Sequence, residues 1–316
     1  MNERLLSPEL LPDSLWISKD DLLHISPEIN KAYCAMIVDF GLSDIALARG
    51  KGDGPIGGIT KEETELHFAQ AVDGSIARVQ LAVLDPKNEI SDVSNAFISQ
   101  LSGGELLITD APCGCGAGTY SFLSTVIELR KLGIVPRLPL DITIIGAEIS
   151  EPARDMAVEM LRRLKPSLNE QGITVNADFY HWDIKDDHSN VQLIKKINIA
   201  FTTKKKRLLI VANFSGFLKN NHKAVSNQIN ELLKHYSDDN SMGVWIEPQW
   251  NPAIANGGWF PELTKVINKL TQFIKSKIIN ADGSSHEITS AKFVKPFDTP
   301  KQARVQLAVI TLEFKN

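Results

Sequence analysis

Residues 107–119 have the sequence LITDAPCGCGAGT, in which an apolar run meets a carboxylate and then three glycines. The run Leu106–Thr109 has the composition of a buried strand, and the segment from Tyr120 to Leu132 has the apolar spacing of a helix. Glycine allows positive φ angles and leaves no Cβ between the backbone and a ligand. The stretch therefore predicts a strand, a ligand-binding turn and a helix, in that order.

From residue 104 onward, short apolar runs alternate with longer helical segments, which is typical of parallel strands connected by helices. The five runs are Leu106–Thr109, Ile142–Gly146, Val175–Tyr180, Leu208–Ala212 and Val244–Glu247. Two later strands are predicted around Ile288–Phe293 and Arg304–Phe314. We therefore expect a doubly wound, mostly parallel α/β sheet of seven strands, with an antiparallel last strand. Among the connecting helices, one is predicted to begin after Ser150 and to end at Lys165-Pro166.

The first hundred residues carry helix-start signals instead, with Ser7, Ser26 and Thr60 each followed by proline or acidic residues. We expect residues 1–104 to form a mainly helical amino-terminal domain that covers the substrate, and residues 105–316 to form a cofactor-binding domain. The glycine-rich segment 49–58 is predicted to be a loop. Its role stays open between a lid, an anion-binding turn and a surface connection.

One heptapeptide, ARVQLAV, occurs twice, at residues 77–83 and 303–309. A true repeat would show similar flanking sequences, but Asp73-Gly74-Ser75 does not resemble Thr299-Pro300-Lys301. We interpret the match as chance similarity.

The composition excludes several classes of protein. The chain has 34 basic and 38 acidic residues, a net charge of −4 and 43% hydrophobic residues, which is ordinary for a globular protein and disfavours general nucleic-acid binding. We see no signal-peptide pattern and no apolar run of about 18 residues, so we expect a cytoplasmic protein without membrane association. Three cysteines are too few for a disulfide framework. The pair Cys113 and Cys115 lacks the further ligands of a zinc site, so no metal is expected.

The glycine turn disfavours two common nucleotide-binding motifs. Thr119 stands where G-x-G-x-x-G has its third glycine, and the Gly-Lys-Ser/Thr ending of a P-loop is missing. Residues 110–116 resemble instead the first motif of class I S-adenosylmethionine-dependent methyltransferases, an acidic residue followed by x-(Gly/Pro)-Cys-Gly-x-Gly. The resemblance extends over residues 104–316 in strand order. It implies S-adenosylmethionine as cofactor and S-adenosylhomocysteine as product.

The resemblance also implies roles for single residues. Glu148, after the second strand, matches the acidic residue that binds both ribose hydroxyls, and a carboxylate suits a diol because it offers two acceptor oxygens. Asp183 matches the adenine-binding aspartate. Trp182 would cover the adenine ring, although a buried aromatic residue at a strand end is more often part of the core. The full set of implied cofactor-binding residues is Asp110, Ala111, Pro112, Gly114, Gly116, Gly118, Glu148, Ile149, Trp182, Asp183, Asn213 and Phe214.

The end of the fourth strand, at Asn213-Phe214, faces the methyl group and the acceptor in that family. The chain lacks the prolines of the Asn/Asp-Pro-Pro-Tyr/Phe motif there, which disfavours methylation of a nucleobase amine. Asn213, Glu247 and His181 are the candidate catalytic residues, and the catalytic assignment stays open among them. An in-line transfer needs positioning more than a dedicated base.

Three functions remain as hypotheses. The first is methyl transfer to a small-molecule or protein acceptor. The second is a catalytically silent relative of the methyltransferase fold that serves as a binding or assembly subunit. The third is an NAD-dependent oxidoreductase, which Thr119 disfavours. The sequence leaves the oligomeric state and the acceptor open.

Overall fold

The computed structural model describes residues 4–48, 57–201, 205–236, 239–248, 274–276, 287–298 and 301–314. The predicted loop 49–58 therefore lies almost entirely outside the described residues. None of the described helices has the length and apolarity needed to cross a membrane.

The described part of the first 104 residues contains two short strands, four α-helices and two three-residue 3-10 helices, Pro8–Leu10 and Ser18–Asp20. The strands and α-helices come first in the numbering used below. They are β1 (Trp16–Ile17), β2 (Leu22–Leu23), α1 (Pro27–Asp39), α2 (Ser43–Leu47), α3 (Lys61–Leu84) and α4 (Ser91–Ser99). The predicted cap of α3 is confirmed, because the Thr60 side chain accepts a hydrogen bond from the Glu63 amide and the Glu63 side chain bonds back. This part therefore contains two short strands in addition to the predicted helices. The domain boundary at residue 104 stays a prediction.

Strands and helices then alternate as expected. The elements are β3 (Glu105–Asp110), α5 (Ala117–Lys131), β4 (Leu140–Glu148), α6 (Glu151–Glu170), β5 (Ile173–His181), α7 (Asp187–Ala200), β6 (Lys206–Ala212), α8 (Ser215–Lys234) and β7 (Ser241–Pro248), followed by β8 (Ile274–Ser276), β9 (Glu287–Val294) and β10 (Gln302–Phe314). Helix α6 continues past Pro166 to Glu170, so the predicted stop at Lys165-Pro166 was wrong.

One mixed sheet joins these strands in the order β1-β2-β9-β10-β7-β6-β3-β4-β5, and β8 pairs with β10. The strands from β7 to β5 are mutually parallel, and β10 runs antiparallel to β7 and β9 as predicted. All seven predicted strands are present. The expectation of a seven-stranded sheet was nevertheless wrong, because β1, β2 and β8 also belong to it. These strands are two or three residues long, too short to show a period of two.

Helices cover both faces of the sheet, which explains why the parallel strands are apolar throughout. Along β3, Leu106 and Ile108 belong to the larger hydrophobic cluster, on the side of α5 and α6, while Leu107 belongs to the cluster formed with α7 and α8. The larger cluster also includes side chains from α1, α3 and α4, and the Phe97 and Phe122 rings lie 5.1 Å apart across residue 104. Helix α3 packs directly against α5, since the Ser121 hydroxyl of α5 donates to the Ile76 carbonyl oxygen of α3 at 2.7 Å.

Candidate functional site

The turn after β3 uses two glycines in the left-handed region, with φ of +51° at Gly114 and +80° at Gly116. A Cβ on Gly116 would lie 2.2 Å from the Tyr120 ring, whereas one on Gly114 would meet no heavy atom within 4 Å. Packing therefore requires the second glycine. The first borders open space, as expected of a position where a ligand approaches the backbone.

Asp110 is the last residue of β3, and its carboxyl group contacts the first turn of α5. Its Oδ2 accepts hydrogen bonds from the Thr119 amide at 3.1 Å and from the Thr119 hydroxyl at 2.8 Å. Burial raises the pKa of Asp110 to about 7; the Thr119 bonds oppose this shift, and the charge of Glu148 adds to it. The carboxyl group is 1% exposed, so its main contact is with the first turn of α5.

Glu148 ends β4 and connects that strand to the glycine turn. Its Oε2 accepts from the Gly114 amide at 3.0 Å, and its Oε1 accepts from the Ser150 amide at 2.9 Å. Each carboxylate oxygen can accept a further hydrogen bond. The structure therefore brings Gly114 and Glu148, both predicted cofactor-binding residues, into direct contact. The neighbouring Ile149 is half-buried, and the Arg154 guanidinium donates to its carbonyl oxygen at 3.0 Å.

The residues at the end of β5 lie in different surroundings. Trp182 is 4% exposed, its indole Nε1 donates to Asn190 at 3.3 Å, and its ring lies 6.3 Å from that of Phe214 in the smaller cluster. These contacts give Trp182 a core position, the alternative that the sequence favoured. Asp183 is half-buried and its Oδ1 accepts from the Lys185 amide at 2.9 Å, while His181 is exposed.

Asn213 follows β6 and has a left-handed backbone with φ of +56°, which is uncommon outside glycine. Its side chain is exposed and contacts α3: Oδ1 accepts from Arg78 Nη2 at 2.9 Å, and Nδ2 donates to Ser75 Oγ at 3.1 Å. The predicted acceptor-side residue is thus oriented by two side chains of the amino-terminal part.

Glu247, near the end of β7, is completely buried. Its Oε1 accepts from the Phe214 amide at 2.9 Å and from the Trp245 indole at 2.7 Å. Phe214 itself is buried and stacks on Phe217, with ring centroids 5.1 Å apart. Of the three candidate catalytic residues, Glu247 accepts a hydrogen bond from the turn after β6, and His181 is exposed at the end of β5. Asn213 has an exposed side chain at the end of β6.

Sequence reasoning missed the polar side chains of α3. Thr64 Oγ1 lies 2.9 Å from Ser150 Oγ, next to Glu148, while Ser75 and Arg78 reach Asn213. One helix therefore contacts the ends of both β4 and β6. The available signal was weak, since it consists of polar residues within a helix in which 15 of the 24 residues are buried.

The site combines three features: the strand order of the sheet, the glycine turn after β3, and the acidic residue at the end of the adjacent strand β4. The chain has a Rossmann-like α/β fold. No protein-family model and no curated protein matches the sequence. The assignment of function therefore rests on the site itself.

Solved structures similar to the chain include several methyltransferases. One is described as a candidate S-adenosyl-L-methionine-dependent methyltransferase from Methanococcus maripaludis, with 10% identity, a TM-score of 0.41, and coverage of 84% of this chain and 98% of that one. The methyltransferase domain of METTL16 has 10% identity, a TM-score of 0.41, and coverage of 91% and 80%. A TehB-like S-adenosylmethionine-dependent methyltransferase from Corynebacterium glutamicum has 15% identity, a TM-score of 0.32, and coverage of 70% and 88%.

The cysteines of the turn are part of its packing. Cys113 and Cys115 are free and buried, and Cys115 Sγ lies 3.8 Å from Met156 Sδ. Burial raises the pKa of both thiols. Within the part of the chain that the structure describes, no three His, Cys, Asp or Glu side chains are grouped so that they could hold a metal ion.

Proposed function

We propose that the chain transfers a methyl group from S-adenosylmethionine to a small-molecule or protein acceptor. The observation that carries this proposal is the pairing of Gly114 with Glu148. Gly114 borders open space, and Glu148 holds the Gly114 amide at 3.0 Å while each of its oxygens can accept one more hydrogen bond. This arrangement suits a ribose diol bound beside an exposed stretch of backbone. The residues present therefore fit the cofactor.

The cofactor, when bound, supplies a methyl group on a positively charged sulfonium. The chain's own residues then have to bind the donor, orient the acceptor and exclude water. In this proposal Glu148 and the glycine turn fix the donor, Asn213 contacts the acceptor, and α3 covers both. An acceptor that is already nucleophilic needs no dedicated base.

The contact between Asp110 and Thr119 argues against a dinucleotide. In nicotinamide-binding folds the helix N-terminus receives the pyrophosphate. Here the Asp110 carboxyl group accepts the Thr119 amide in the first turn of α5. One amide of the first turn of α5 is therefore already paired with a buried carboxyl group and is not available to a pyrophosphate.

Calorimetric titration with S-adenosylhomocysteine and with NADH tests the proposal. We expect binding of S-adenosylhomocysteine and none of NADH; tight binding of NADH alone would overturn the proposal. Incubation with methyl-labelled S-adenosylmethionine and a cell lysate then tests turnover, with Glu148→Ala as the matched control. Cofactor binding without transfer to any acceptor would favour the silent binding subunit.

A further inference from the structure

The turn between β4 and α6 is hydrogen bonded to the amino-terminal part through two buried hydroxyl groups. Ser150 Oγ, in this turn, lies 2.9 Å from Thr64 Oγ1 of α3. The same Ser150 oxygen donates to the Ile59 carbonyl oxygen at 3.3 Å. Ser150 and Thr64 are both buried. Residues that are 86 and 91 positions away in the sequence therefore bond to one side chain beside Glu148.

The proton between the two hydroxyl groups can be assigned. Ser150 is the N-cap of α6, and its Oγ accepts from the Ala153 amide at 3.3 Å. The Ser150 hydroxyl has one proton, which it donates to Ile59, so Thr64 must supply the proton of the second contact. The Ser150 hydroxyl then makes one donated and two accepted hydrogen bonds, which is its full capacity. Removal of the Thr64 hydroxyl would leave one of these acceptor positions unpaired.

The backbone of Ser150 holds the Glu148 carboxylate. The Ser150 amide donates to Glu148 Oε1 at 2.9 Å, and the Gly114 amide donates to Oε2 at 3.0 Å. The orientation of the carboxylate therefore depends on where Ser150 lies. The Ser150 side chain is in turn bonded to Thr64, so a chain of contacts leads from α3 to Glu148.

Helix α3 is held in place by other contacts as well. The capping box of Thr60 and Glu63 fixes its first turn, and the Ser121 hydroxyl of α5 donates to the Ile76 carbonyl oxygen farther along the helix. The loss of the Thr64 hydroxyl is therefore expected to change the end of β4 more than the packing of α3.

We propose that Thr64 is a positioning residue of the donor site, which orients Glu148 toward the ribose hydroxyls through Ser150. This inference rests on the proposed function. The amino-terminal part then contributes to donor affinity, and Thr64 contacts neither the donor nor the acceptor.

Calorimetric titration with S-adenosylhomocysteine tests the effect on affinity. Thr64→Val should weaken binding about 5-fold, the effect of one neutral hydrogen bond, and Thr64→Ser should restore it. Thr64→Ala removes the same hydroxyl without a branched side chain and should show the same loss. The matched control is Ser94→Ala, which removes a buried hydroxyl that bonds to the Val83 carbonyl oxygen near the other end of α3. Wild-type affinity in Thr64→Val, or an equal loss in Ser94→Ala, would overturn the proposal.

A double-mutant cycle separates positioning of Glu148 from a general loss of structure. If Thr64 acts through Glu148, Thr64→Val should cause no further loss of affinity in the Glu148→Ala background. A second 5-fold loss in that background would mean that Thr64 affects the donor by another route, and would contradict the proposal.

Hydrogen exchange of the Gly114 amide gives a measurement without any ligand. Its acceptor is Glu148 Oε2, so we expect a partial loss of protection in Thr64→Val but none in Thr64→Ser or Ser94→Ala. Unchanged protection in Thr64→Val would overturn the positioning role. If S-adenosylhomocysteine does not bind the wild type but Gly114 protection still depends on Thr64, the proposed function fails and the contact from α3 to Glu148 stands.

Discussion

The ends of β4 and β6 are built in different ways. At the end of β4, the Glu148 carboxylate bonds to backbone amides of Gly114 and Ser150, which are 34 and 2 positions away. At the end of β6, the Asn213 amide bonds to side chains of Arg78 and Ser75, which are 135 and 138 positions away. Backbone donors do not depend on residue identity, whereas side-chain partners do. Substitutions of Ser75 or Arg78 in α3 can therefore change the proposed acceptor side while the proposed donor side persists.

The largest loss of stability is expected from Gly116→Ala, which changes the glycine turn after β3 on the proposed donor side. The left-handed φ and the Tyr120 ring should together lower the free energy of unfolding by about 2–5 kcal/mol. Gly114→Ala is the matched control: it has the φ strain without the clash, so it should lose about 1–2 kcal/mol. Its Cβ would fill the open space, and S-adenosylhomocysteine should bind more weakly. Urea denaturation measures the stabilities, and equal losses in the two variants would contradict this account of the turn.

The second effect concerns Asp110, which lies in the strand between the two ends. Burial raises its pKa from 3.8 to about 7, so between these pH values the folded chain retains a proton that the unfolded chain has lost. The resulting stabilisation should be complete below about pH 4 and should disappear as the pH rises to about 7. Asp110→Asn should remove this dependence, which amounts to up to about 4 kcal/mol at 1.36 kcal/mol per pKa unit.

Unfolding of the wild type and of Asp110→Asn at several pH values measures this dependence. Thr119→Val serves as a second variant, because it removes a hydrogen bond that opposes the raised pKa of Asp110. In that variant the loss of stability should continue above about pH 7. A parallel pH dependence in all three proteins would show that Asp110 does not titrate in this range.

The smallest expected effect is on the affinity for S-adenosylhomocysteine, and it distinguishes the end of β4 from the end of β6. Glu148→Ala should weaken the binding of S-adenosylhomocysteine by about 1–3 kcal/mol, or roughly 5- to 150-fold, because the ribose hydroxyls would lose their acceptor. Asn213→Ala should leave that affinity unchanged, since its side chain contacts α3 on the acceptor side. Isothermal titration of both variants tests the contrast. A similar loss in both would mean that the donor extends to β6.

Local patterns predicted the elements that form the proposed donor side. The apolar runs identified the seven longer strands and the glycines identified the turn, whereas Glu148 was predicted from the resemblance to the methyltransferase motif, and the structure places it against the Gly114 amide. Trp182 was ambiguous because a buried indole suits either a core or a ring-stacking position, and packing against Phe214 places it in the core. The contacts of Ser75 and Arg78 with Asn213 could not be predicted, because no local pattern relates positions so far apart.

Two local rules failed where packing opposed them. Pro166 removes one helical hydrogen bond and disfavours a helix by about 3 kcal/mol. Helix α6 nevertheless continues to Glu170, because Leu164 and Leu168, on either side of the proline, are buried in the larger cluster. Strands β2 and β8 pair with the distant strands β9 and β10, and β1 pairs with β2; each is two or three residues long and carries no signal of its own.

The heptapeptide ARVQLAV shows that the local sequence does not by itself determine secondary structure. At residues 77–83 it is helical and lies within α3, and at residues 303–309 it is part of strand β10. Arg78 contacts Asn213 at the edge of the sheet, whereas Arg304 is exposed on the last strand. The amino-acid sequence by itself specifies the glycine turn and the alternation of strands and helices, because short-range sterics and burial act within a few residues. The conformation of this heptapeptide, and the role of its arginine, depend on whether α5 or β7 and β9 lie beside it, which is a property of the folded chain alone.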